Sequence, residues 1–209
     1  LGLAKRFKIG VADLLAAEPP QATDTNYFFG QYYPTDAALA DFGPVYRAVK
    51  ADAKAAGYPT LYTSFTSAGY ALDQMSIFDW IESRVPGGHS SRMGQLLDVA
   101  YNIEYGADTS EQSALNLIYL LAFQPTGSGF ALFGESDERY HLVGGNEGLP
   151  RAIAAALPSS SLKPNTSLTR IAQNGDGTFA LRFRDKSSQF TVTADRVILA
   201  IPFSVLRTL

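Results

Sequence analysis

Few residues in this chain could carry chemistry, and they are scattered. There are two histidines, His89 and His141. His89 follows Pro-Gly-Gly and reads as a loop residue. His141 sits in RYHLV, where alternation sets it and Arg139 on one face and Tyr140 and Leu142 on the other. A single histidine is a weak catalytic signal, so a structural or pocket-lining role is the better reading. Ser90, Ser110 and Ser136 lack the G-x-S-x-G elbow that would expose a nucleophile. The acids Glu135, Asp137 and Glu138 read as a solvated turn, not a carboxylate pair or metal cage. Cysteine is absent, which excludes disulfides, thiolate catalysis, iron–sulfur clusters and cysteine-based zinc sites. Phosphate binding by a dinucleotide fold needs G-x-G-x-x-G between a strand and a helix. Gly127-Ser128-Gly129 is the nearest form, but it precedes an apolar strand pattern. Gly144-Gly145 precedes a helix pattern without the third glycine, and by itself is a turn that lets the chain pass close to something.

Aromatic residues are the other resource. Tyr27, Phe28, Phe29, Tyr32, Tyr33, Tyr101, Tyr105, Tyr119, Phe123, Phe130 and Phe133 fall around a helical part of the sequence. Most must be core, and some could line an apolar pocket for a small amphiphilic ligand.

The elements that must position these residues follow from periodicity. Residues 3–15 read as a helix, a break at Gly10 and a short apolar element, ended by Pro19-Pro20. Residues 25–33 are aromatic and strand-like, with Gly30 as the hairpin or bulge point. Residues 44–56 predict a helix with Pro44 in its first turn, Val45, Tyr46, Val49 and Ala53 on one face, and Gly57 as C-cap. Residues 76–84 predict a helix opened by Ser76 and Asp79, with Ile77, Trp80 and Ile81 buried. Residues 91–105 follow with Met93, Leu96, Leu97, Ala100 and Ile103 inward and Gly106 as the stop. Residues 109–123 are apolar nearly all round, the mark of a helix buried on several sides. A loop at 125–129 and a short strand at 130–133 come next. A helix over 148–157 carries Pro150 in its first turn. Three alternating strands over 168–172, 178–184 and 190–193 form a meander, the first two joined by NGDG. Residues 197–201, VILAI, predict a strand covered on both faces. Helices, then a meander, then a buried strand imply an α+β chain.

The chain has 209 residues, 46% hydrophobic and 18% charged, an ordinary globular composition with room for one large or two small domains. Net charge is −3, with no basic cluster beyond the short KRFK at 5–8, which excludes nucleic acid and anionic membrane as main partners. No apolar run reaches the ~18 residues of a membrane span. The sequence opens in LGLAKRFK and closes in SVLRTL, both inside apparent elements, so a piece of a longer chain is expected.

Four segments in order carry a family resemblance: MSIFDWIESRVPGG, LLDVAYNIEYGADTSEQSALNLIYLL, FGESDERYHLVGGNEGLPRAIAAAL and TADRVILAIPFSVL. The chain resembles flavin-containing amine oxidases, in particular bacterial flavin monoamine oxidases and L-amino-acid oxidases. The second and third segments are the more specific; VILAIP is shared with carotenoid desaturases and protoporphyrinogen oxidases. The resemblance implies a central fragment of a two-domain FAD/NAD(P)-binding-type flavoprotein. Residues 1–142 would be a mainly helical substrate-binding region and 143–209 part of the FAD-binding domain. It further implies that the backbone at Leu168 meets the adenine side of FAD, that Pro202 turns the chain near the flavin, and that Gly144-Gly145 pins the short helix beside the cofactor domain. Tyr105, Tyr119, Phe130, Phe133 and His141 are the expected pocket lining. The glycine fingerprint, the acidic ribose ligand, the pyrophosphate segment and the lysine near flavin N5 do not occur in these residues, so no residue is assigned as catalytic. Arg92 and Arg139 read equally as surface residues and as partners for a substrate carboxylate. The implied activity is oxidation of a primary amine or L-amino acid to an imine, with hydride passing to FAD and O2 reduced to H2O2. A non-catalytic subunit or binding module of a split flavoenzyme, or a desaturase-like relative, is the alternative. Expected partners are the small-molecule substrate and the remaining segments of the parent enzyme, with a homodimer open. A cytoplasmic location is expected, with secretion left open.

Overall fold

The computed structural model describes residues 1–124, 130–134 and 138–209. The expected loop at 125–129, with Gly127-Ser128-Gly129, and the acids Glu135 and Asp137 lie outside the described residues. In chain order the helices are α1 (Gly2–Arg6), α2 (Leu14–Ala17), α3 (Thr35–Ala56), α4 (Ser67–Gln74), α5 (Ile77–Arg84), α6 (Arg92–Tyr105), α7 (Ala114–Leu121), α8 (Gly148–Ala156) and α9 (Phe203–Leu206). The strands are β1 (Val11–Asp13), β2 (Asn26–Phe28), β3 (Gln31–Tyr33), β4 (Tyr140–Leu142), β5 (Ser167–Gln173), β6 (Phe179–Arg184) and β7 (Gln189–Ala194). They pair as β1-β4, β2-β3 and β5-β6-β7, a mixed α+β arrangement. The chain forms two units, Asp13–Tyr140 and Leu1–Ala12 with His141–Leu209.

The unit Asp13–Tyr140 is built around α7. Its Ala114, Leu115, Leu117, Ile118 and Leu121 are all buried, as an all-round apolar helix requires. Around it pack Val45 and Val49 of α3, Ile77, Trp80 and Ile81 of α5, and Leu97 and Tyr101 of α6, all fully buried. Burial of each such large side chain is worth about 1.5–3 kcal/mol. Hydroxyl caps fix where the helices start: Thr66 accepts from Gly69 N–H, Ser76 from Asp79 N–H, and Ser91 from Gly94 N–H. Trp80 Nε1–H donates to Asp52 Oδ2 at 2.8 Å, and Arg84 Nε meets the same oxygen at 3.2 Å, joining α3 to α5.

Four expectations in this unit need correction. The helix read over 109–123 is a 3₁₀ turn at Thr109–Glu111 followed by α7 from Ala114, because Ser113 caps a new helix start by accepting from Leu115 N–H at 3.2 Å. The helix predicted at 44–56 begins nine residues earlier, at Thr35, so Pro44 lies inside it. The apolar stripe runs on upstream through Ala38 and Phe42, and burial of that stripe outweighs the hydrogen bond that proline lacks. Gly43, with no Cβ to strike the proline ring, makes the helical conformation before it accessible. Ile103 is 73% exposed and not inward; Tyr101 takes the inner position, its hydroxyl donating to the Leu132 carbonyl. Residues 130–133 form no strand. The Gln124 amide does what a neighbouring strand would do: its oxygen accepts from Ala131 N–H at 2.8 Å and its nitrogen donates to Ala131 O at 2.9 Å.

In the other unit the meander forms as expected. Asn174 to Gly177 make the first turn, with Asn174 N–H on Thr178 O and Gly177 at φ +87°. Phe183 and Phe190 stack across β6 and β7 at 5.6 Å. Residues 197–201 correct another expectation. They are not a strand, and Ile198 is 93% exposed. An apolar run suits the interior of a sheet, but a strand exists only where neighbours take up its backbone groups. Among the described residues none pairs with this one.

Candidate functional site

The helical unit contains a cleft of about 460 Å³. Phe130, Leu132, Phe133 and Leu96 give it an apolar side, and Asp24, Thr25, Asn26 and Thr35 a polar one. Local structure sets each of these. Phe130 stacks on Phe42 of α3 with ring centroids 4.1 Å apart, and Gln124 fixes the backbone beside it. Gly134, at φ +67°, closes the turn where a Cβ would strike the Leu120 carbonyl at 2.6 Å. Asp24 to Asn26 lead into the β2-β3 hairpin, whose turn residues Phe29 and Gly30 both have positive φ, 53° and 77°.

Of the expected pocket residues, Phe130 and Phe133 lie in this cleft. Tyr105 and Tyr119 are not among its lining residues. Tyr105 donates to the Asn116 carbonyl at 3.1 Å, and burial, reinforced by Glu104, raises its pKa. The Tyr119 hydroxyl donates to Gly57 O at 2.5 Å and meets Thr60 Oγ1, while Tyr58 packs edge-on against its ring at 5.0 Å. His141 is exposed on β4 and belongs to the other unit. Asp24, Thr25, Asn26 and Thr35 were not expected in the pocket, and Leu96 was read only as an inward helix residue. The one signal for Asp24 to Asn26 is the polar run leading into the aromatic hairpin, and no motif marks it.

Both arginines considered for a substrate carboxylate are engaged. Arg92 lies over the Tyr33 ring at 4.6 Å and donates to Tyr32 O at 3.3 Å. Arg139 holds Asp13 through Nη2 at 2.6 Å and Nε at 3.2 Å, and this pairing keeps the Asp13 carboxyl below its usual range. None of the described residues lining the cleft is Lys or Arg. His89 is a structural clasp. Its Nδ1 meets Glu82 at 2.6 Å, its ring stacks on Phe78 at 4.0 Å, and Nε2 lies buried 3.5 Å from Asp98. Asp98 in turn accepts from the Thr109 hydroxyl.

Charge is strongly divided between the units. Asp13–Tyr140 holds six Lys and Arg against sixteen Asp and Glu, a formal −10. Leu1–Ala12 with His141–Leu209 holds eleven against four, +7. The mild net −3 conceals this. An acidic body with an aromatic cleft attracts cations, and a basic one attracts phosphates.

The model of the family described as flavin containing amine oxidoreductase matches residues 21–209. The chain belongs to this family. A comparison with curated proteins found no match. Membership makes the activity class that of a flavin-dependent oxidoreductase and the cofactor a flavin. No helix among the described residues is long and apolar enough to cross a membrane.

The residues named toward the cofactor fit a flavin in their chemistry. Gly144 and Gly145 have φ of +84° and +96°, with open space where a Cβ would stand, so a bound group can come against bare backbone. Leu168 lies on β5, an edge strand of its sheet, beside a register shift between Leu168 and Arg170. Edge-strand backbone groups are unpaired on one side and can serve a ligand. Pro202 is the N-cap residue of α9 and is exposed.

Proposed function

We propose that this chain belongs to an FAD-dependent oxidase acting on a primary amine, with an L-amino acid as the alternative substrate. The observation that carries the choice is the cleft: among the described residues it has an aromatic side, a carboxylate at Asp24 and no lining Lys or Arg, in a unit of charge −10. An amino acid brings a carboxylate that needs a cation, and Arg92 and Arg139 are occupied elsewhere. A protonated amine is drawn by the acidic unit and needs no such partner.

Bound flavin supplies the hydride acceptor and returns the electron pair to O2 as H2O2. The protein groups do the rest. Asp24 and the field of the acidic unit gather the ammonium at the cleft. The Phe42–Phe130 stack and Phe133 strip water from the substrate's apolar part. Removing water also favours the neutral amine, which must form before the α-hydrogen can leave as hydride. Loss of that hydride and of the nitrogen's proton leaves an imine, which water converts to a carbonyl compound and ammonia. In this reading Gly144, Gly145, Leu168 and Pro202 form one wall of the FAD site.

The test is spectroscopic. The flavin-loaded protein is mixed anaerobically with primary amines and with L-amino acids, and the visible band is followed; peroxide is then measured in air. Bleaching by amines in preference to amino acids is expected. A flavin that no amine bleaches would overturn the oxidase reading, and bleaching by amino acids alone would overturn the choice of substrate.

A further inference from the structure

We propose that the arginine face of the β5-β6-β7 meander binds a small phosphate-bearing anion. This site requires neither the amine nor the flavin reading. Alternation places Arg170 and Ala172 of β5, Ala180, Arg182 and Arg184 of β6, and Thr191 of β7 on one face. Leu168 pairs with Phe183 on the opposite, apolar face.

Arg170 and Arg182 stand directly opposite each other across the strand pair. Like charges so placed repel, and a fold retains them at a cost unless an anion compensates. Among the described residues no carboxylate lies within 4 Å of Arg170, Arg182 or Arg184. The next pair along the same strands is Ala172 opposite Ala180. Two short side chains beside two long ones leave a depression of about 290 Å³, walled by Arg170, Arg182 and Thr191. Thr191 is directly opposite Arg182, and its hydroxyl has no hydrogen-bond partner among the described residues. Two planar guanidinium forks and a free hydroxyl over a neutral floor suit a tetrahedral oxyanion. The depression is too small for a macromolecular surface and fits a compound with one or two phosphates. The unit that carries it is +7, which raises the local concentration of such anions.

The experiment is calorimetric titration of the flavin-loaded protein, whose cofactor phosphate sites are already filled, with inorganic phosphate, pyrophosphate and citrate. Saturable 1:1 binding of pyrophosphate is expected, stronger than phosphate or citrate and weakened by salt. Arg170→Gln or Arg182→Gln should each weaken it about tenfold, as loss of a charge-assisted contact does. The double variant should abolish binding. Arg151→Gln, which removes a residue already paired with Glu147 at 2.8 Å, should leave binding unchanged. Without ligand, the double variant should melt no lower than wild type, because it loses a repulsion and no contact. Absent binding, binding that survives the double variant, equal loss in Arg151→Gln, citrate binding as tightly as pyrophosphate, or a double variant that melts lower would each overturn the proposal.

Discussion

Gly94→Ala should be the most damaging single-methyl addition in the helical unit. Gly94 lies in the first turn of α6, against the 3₁₀ turn Gly88–Ser90. A Cβ there would sit 2.0 Å from the Gly88 carbonyl oxygen and 2.7 Å from its carbon. At least about 1 Å must open before the contact reaches the 3.0 Å floor of real structures. No rotamer relieves it, since an alanine Cβ is fixed by the backbone and the obstacle is itself backbone. The obstructed carbonyl also accepts from Ser91 Oγ at 2.7 Å and Ser91 N–H at 3.1 Å, and Ser91 Oγ caps Gly94, so any shift disturbs the helix start. Overpacking against rigid structure costs about 3 kcal/mol, the upper end of its usual range. For a chain of this size that lowers the melting temperature by about 10 °C. Trp80 is the only tryptophan, is fully buried, and lies in the same unit, so its fluorescence reports this unit's melt. Gly69→Ala grades the effect. Its Cβ would meet Ala56 O at 3.2 Å and two threonine hydroxyls at 3.3 Å, which tenths of an ångström relieve, so its loss should be less than half as large. A Gly94→Ala melt within about 2 °C of wild type would refute the steric reasoning.

Asp52→Ala should cost about 1–3 kcal/mol, because it leaves the buried Trp80 N–H unpaired; Asp52→Asn, which keeps an acceptor, should cost less, by fluorescence melts. Glu82 is held below its ordinary 4.5 by the His89 backbone N–H first and then by the imidazole. A depressed carboxyl stabilises above its unfolded pKa and loses that contribution as pH falls through its folded one. Wild type should therefore out-melt Glu82→Gln near neutral pH, the gap closing on acidification below 4.5; a gap that persists there would contradict it. Phe29 is 63% exposed at φ +53°, where asparagine is better tolerated, so Phe29→Asn should raise the melt by up to about 1 kcal/mol of stability, and a fall would show that the ring contributes packing.

Some of this was legible in the sequence because local rules were obeyed without competition. Ser76 and Asp79 opened α5, Gly106 closed α6, and NGDG turned β5 into β6, since each depends on groups within a few residues. The burial of α7 was legible because no polar face exists to leave exposed. Where long-range packing competed, the local signal misled. Pro44 looked like a helix start, yet Ala38 and Phe42 continued the buried stripe past it. The Phe130 segment read as a short apolar strand, yet the side chain of Gln124 takes up both backbone groups of Ala131.

By itself the sequence determined the family-bearing motifs, the α+β class and the bounds of α5, α6 and α8, because periodicity, caps and turns are written in nearest neighbours. Only the tertiary structure decided which aromatic residues share a cleft. Phe130 and Phe133 meet Asp24 there, while Tyr119 is turned to Gly57 by a hydrogen bond spanning 62 residues. It likewise divided a near-neutral chain into a unit of −10 and a unit of +7. Charge counts are additive along a sequence, but the field a substrate meets depends on which charges the fold gathers.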